Sequence, residues 1–107
     1  MLNKFEESVK SYNKALEINN ESPECHFNLA SAYNDLGKYN HAIRHYQEAI
    51  ALDNTNIDAH MCLGGVFEQV QQFEKAAVAF KNVLSIDPES TKAQEALQKL
   101  KGIGRWK

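Results

Sequence analysis

Apolar residues recur along this chain at the spacing of a helix, not of a strand. Leu29, Ala32, Tyr33 and Leu36 form one stripe, and Tyr39, Ala42, Ile43, Tyr46 and Ile50 form the next. Recurrence at i, i+3, i+4 and i+7 gathers one side of a helix into an apolar band. The two stripes predict two amphipathic helices. Gly37 between them is the stop, because glycine enters the left-handed conformation without a Cβ clash.

The same pattern returns at a constant offset of 34, which places residues 2–22, 36–56 and 70–90 over one another. Residues 25–35 align with 59–69 in the same register, and 93–101 open a further copy. Ser22, Asn56 and Ser90 share one repeat position and are expected to cap helix starts, since their side chains accept the orphan N–H groups there. Pro23 suits a first helical position, and Pro88 falls in an inter-repeat turn. Small residues share positions where helices approach closely: Ala30 with Gly64, and Ser8 with Ala42 and Ala76. Ala15 and Ala49 share a third such position, with Val83 as the exception. Large residues recur between them, as Leu29/Leu63, Tyr33/Phe67, Phe5/Tyr39/Phe73 and Tyr12/Tyr46/Phe80.

This small-large pattern resembles the tetratricopeptide repeat (TPR) family, with L-A/G-x-x-Y/F followed by G-x-Y/F-x-x-A, Y/F-x-x-A and a D-P turn. The departures are His26 and His60 at the usual tryptophan, Gln71 at a hairpin glycine, and Asn20 and Asn54 at the turn proline. The resemblance implies an all-α, right-handed α-solenoid of antiparallel helix hairpins. Residues 1–22 are then the second helix of a truncated repeat, 23–56 and 57–90 two full repeats, 91–102 a capping helix, and 103–107 a flexible tail. Gln98 and Lys101 replace the small and aromatic residues of earlier copies, as in the polar helix that closes such arrays. Leu2 to Phe5 align with the end of a first helix, so the chain reads as starting in mid-hairpin, either cut from a longer array or beginning there naturally. Phe5, Val9 and Tyr12 would then lack their helical cover, a face expected to self-associate.

Composition narrows the function classes. A chain of 107 residues, 43% hydrophobic and 24% charged, makes one small folded domain. A net charge of −2 supplies no basic field for nucleic acid. No apolar stretch approaches the ~18–20 residues of a membrane span, and MLNKFEESVK lacks the apolar centre of a secretory signal. Cys25 and Cys62 stand in no metal-like or CxxC spacing and are expected as free thiols. The cytoplasm is the default location.

No residue constellation points to catalysis: HExxH, GxSxG and a glycine-rich phosphate loop are all missing. His41 and His45, at i and i+4 with Glu48 a turn on, have a chelating spacing but lack a closed shell of ligands, and are expected on the surface. His26 and His60 are expected partly buried between repeats. Neither metal nor cofactor is expected.

By resemblance, the first helices of successive repeats line an inner concave face that holds a partner segment. The positions are Glu24, Phe27, Asn28, Ser31, Asn34 and Asp35, then Asp58, Met61, Cys62, Gly65, Glu68 and Gln69, then Lys92, Glu95 and Lys99. Phe27 and Met61 are its apolar anchors, or else they complete the inter-helix core. Acids outnumber bases in the two full repeats, so a basic and apolar protein ligand is expected. The lysine and arginine positions that clamp a C-terminal carboxylate in some TPR domains hold Phe27, Asp58, Cys62 and Ala96, with Lys92 the one base left. Asn28 matches one rung of the asparagine ladders of other members, but Cys62 stands at the next. The expected function is an adaptor or scaffold module. A self-associating structural module and a regulatory domain of a larger enzyme are the alternatives.

Overall fold

The computed structural model describes residues 6, 7, 9–11, 13, 14 and 22–103. It delimits α1 (Pro23–Asp35), α2 (Tyr39–Leu52), α3 (Ile57–Gln69), α4 (Phe73–Ile86) and α5 (Thr91–Ile103). The described residues before 15 are helical too, and no strand occurs among the described residues. None of the described helices is long and apolar enough to cross a membrane.

The helices begin where short polar side chains hold their first N–H groups, at Pro23, Ile57 and Thr91, a constant 34 residues apart. Ser22 Oγ accepts from the Cys25 N–H at 3.3 Å, Asn56 Oδ1 from Ala59 at 3.1 Å, and Ser90 Oγ from Ala93 at 3.3 Å. Each such cap stabilises its helix by ~1 kcal/mol. The other starts, α2 and α4, have no side-chain cap, because a tight turn delivers the chain directly into them. Gly37 with φ 77° makes the first turn, and Gln71 with φ 63° makes the second. Both turns close alike: the Lys38 N–H donates to the Tyr33 carbonyl at 2.9 Å, and the Gln72 N–H to the Phe67 carbonyl at 2.9 Å.

Packing runs from neighbour to neighbour, α1 on α2, α2 on α3, α3 on α4 and α4 on α5, with a lighter contact between α1 and α3. Ala30, Ala42, Tyr46, Leu63, Val66, Phe67, Ala76 and Phe80 make one continuous core. Gly64 lets α3 close onto α4, for a Cβ there would stand 2.6 Å from the Phe80 ring. Ala93 and Leu100 bury α5 against its neighbour, while Gln98 and Lys101 are exposed. This helix continues through Ile103, one residue into the segment expected as tail. Residues 104–107, with Trp106, lie outside the described residues.

Candidate functional site

α1 and α3 lie beside each other, and the residues expected to hold a partner fall on them and on α5. Glu24, Asn28, Asp35, Asp58, Gln69, Lys92 and Glu95 are exposed. Phe27, Ser31, Asn34, Met61, Cys62, Gly65 and Glu68 are half-buried. The two readings of Phe27 and Met61 meet in this geometry. Both pack on the edge of the core, and the Phe27 ring stands edge-on to Tyr46 at 5.7 Å and 69°, yet part of each side chain faces water. The Asn28 side chain makes no hydrogen bond among the described residues.

Between the two helices, Asn34, Gly65 and Gln69 share a hollow of about 310 Å³ with Tyr39, Cys62 and Val66. It exists because a Cβ on Gly65 would meet nothing within 4 Å. Cys62 in its wall neighbours the buried Tyr46, whose phenol is influenced by the Ser31 hydroxyl of α1 and by the Cys62 thiol. Burial pushes the Tyr46 phenol well above its ordinary range and pushes the Cys62 thiol up as well, so both keep their protons at neutral pH. Tyr39 and Tyr46 were legible only as core residues. Their part in this hollow depends on the gap at Gly65, which only the arrangement of α1 against α3 reveals.

Charge on this face is unevenly matched. Glu68 meets Lys99 of α5 at 3.5 Å. Glu24, Asp35 and Asp58 form no ion pair among the described residues. Of the proposed self-association face, Val9 is half-buried, while Phe5 and Tyr12 lie outside the described residues.

A second polar cluster lies across the first hairpin. His26 Nδ1 and His45 Nδ1 approach to 3.2 Å, and each ring is only 7% exposed. Tyr33 stacks on His45 at 5.6 Å and 16°, and His41 tilts against Tyr33 at 4.9 Å. The expectation of a surface His45 is thus overturned, since the rings of α1 cover it; His41 is exposed as expected. Burial, then the charges of Arg44 and His26, hold His45 down to about 4; Glu48 pulls it upward and His41 adds a lesser downward push. His60, at the position of His26, meets the Asn54 carbonyl through Nε2 at 3.0 Å. No group of three or more metal-ligating side chains is gathered among the described residues.

A further hollow of about 410 Å³ lies between α2, α3 and α4, away from the expected groove, with Phe67, Lys75 and Ala79 in its wall.

A family model described as TPR repeat matches residues 2–37 and 30–71. No curated protein sequence matches the chain. Among solved structures, the crystal structure of MamA is 29% identical, with a TM-score of 0.86 over 90% of this chain and 57% of that one. The chain therefore spans little more than half the length of MamA. The first TPR of Spaghetti (RPAP3), bound to the HSP90 peptide SRMEEVD, is 27% identical, with a TM-score of 0.87 over 94% of this chain and 79% of that one. The second TPR domain of human RPAP3, in complex with the HSP70 peptide SGPTIEEVD, is 26% identical, with a TM-score of 0.84 over 92% of this chain and 82% of that one. These neighbours share the all-helical solenoid architecture.

Proposed function

The chain belongs to the TPR repeat family, and on that premise we propose that it is a protein-interaction module whose α1–α3 face holds a segment of a partner protein. TPR repeats are in general non-catalytic, and the reading assigns the chain no reaction. It is supported by neighbours of the same fold solved with peptides bound. The ligand chemistry differs, however. The peptides in those two structures end in Glu-Glu-Val-Asp, an acidic tail. Here Glu24 and Asp58, each one turn before the half-buried Phe27 and Met61 on the same helices, form no ion pair among the described residues. That juxtaposition carries the proposal: an adaptor or scaffold surface for a partner segment that is apolar and basic.

Display of a random peptide library on the intact chain tests this. Selected peptides are expected to combine Lys or Arg with apolar residues. Phe27→Ala/Met61→Ala is expected to weaken them about tenfold or more, given ~1.5–3 kcal/mol for a large apolar side chain and 1.4 kcal/mol per tenfold. Circular dichroism first checks that helicity survives. Unchanged affinity in the double variant, or selection of acidic C-terminal peptides, would remove this reading.

A further inference from the structure

We propose that His26 and His45 form a proton-operated latch across the first hairpin, closed while one facing nitrogen donates to the other and released when both facing nitrogens carry protons. The two Nδ1 atoms are 3.2 Å apart, so one ring donates its N–H and the other accepts on its lone pair. The bond lasts only while one of the two facing nitrogens keeps its lone pair. A proton entering that acceptor nitrogen would set N–H against N–H where each residue is 7% exposed.

The surroundings oppose a charge on His45 more than they favour it. On α2, Arg44 and His41 repel it and Glu48 attracts it; on α1, His26 repels it and Tyr33 offers the face of a neutral ring. Burial is the largest influence, and together these hold His45 at about 4. The folded value is below the ordinary ~6.5 of the unfolded chain, so the unfolded state takes the proton first. The stabilisation from the neutral ring is therefore complete above pH ~6.5 and is lost as pH falls from there through about 4.

The latch joins α1 to α2, and α1 also carries Phe27, Ser31 and Asn34 of the expected groove. Releasing it loosens the mounting of these side chains. That consequence for binding rests on the groove reading above, while the response of the hairpin does not.

Histidine-selective NMR titration of the intact chain, with melts of wild type, His45→Phe and His26→Phe, decides the matter. The His45 ring is expected to protonate below pH ~5, and His26→Phe to move that midpoint upward by removing the bond and the opposing charge. Between pH 6.5 and 4.5 the wild-type melting temperature is expected to fall further than that of His45→Phe. A His45 midpoint at pH 6 or above, no movement in His26→Phe, or parallel melting profiles would overturn the latch. If a variant does not fold, the wild-type midpoint decides alone. A library-selected peptide followed over the same pH range then tests the groove. Affinity that weakens as His45 protonates supports the link, and flat affinity removes it. A chain that selects no peptide at all contradicts the groove reading, with the titration still deciding the latch.

Discussion

In the first hairpin the ring of Tyr46 ends in a hydroxyl held by Ser31 and Cys62; its counterpart in the second, Phe80, has no hydroxyl, and the equivalent positions are Gly65 and Ala96. The hydroxyl and both its partners are present together or replaced together. A buried hydroxyl without partners costs more than its bonds return, so these three positions act as one physical unit. The same logic separates the two hairpins at the other side of the helices. His45, stacked on Tyr33 and bonded to His26, becomes Ala79 over Phe67, and a hollow stands beside Phe67, Lys75 and Ala79. Lys75 Nζ, at the position of His41, lies 6.0 Å from the Phe67 ring centre. His60 has no imidazole at position 79 to meet, and its Nε2 lies 3.0 Å from the Asn54 carbonyl. Two hairpins with matching turns and helix lengths thus solve their packing with different chemistry.

Exchanging their side chains tests that comparison. The largest effect is expected at Gly64: Gly64→Ala gives the second hairpin the residue of the first but drives a methyl into the Phe80 ring. A loss of about 1–3 kcal/mol in chemical denaturation is expected; a gain would show that Phe80 moves aside freely. Tyr46→Phe, which gives the first hairpin the ring of the second, is expected to cost about 1 kcal/mol. Combined with Ser31→Ala it should cost less than the two single losses summed, because both remove the same bond. Gln71→Gly relieves a left-handed residue that carries a side chain, at φ 63°, and is expected to stabilise by ~1 kcal/mol, while Gly37→Gln should lose about as much. The smallest change is expected where the second hairpin meets α5. Lys99 is 70% exposed, so Lys99→Gln should alter stability by no more than ~0.5 kcal/mol despite the pair with Glu68.

The sequence made the frame legible because its signals are local. Ser22, Asn56 and Ser90 announce helix starts through bonds three residues long, and Gln71 occupies a glycine position whose backbone it then has to copy. Contacts between helices were harder to read. His41 and His45 looked like a surface pair on one helix; the rings that bury His45 come from His26 and Tyr33 on the helix before it. Phe27 could be assigned to the core or to the groove because it belongs to the edge of both. Tyr39 joined the hollow between α1 and α3 only through the space left at Gly65, and a missing side chain leaves no mark on hydrophobic periodicity.

The neighbour-to-neighbour packing has one more consequence. Because most contacts among the described residues join helices adjacent in sequence, damage to one hairpin is felt mainly at the next interface. Such a molecule behaves less like a vault, in which each stone bears on all the others, than like a stack of plates. An added or deleted plate changes its reach without asking the rest to be recut.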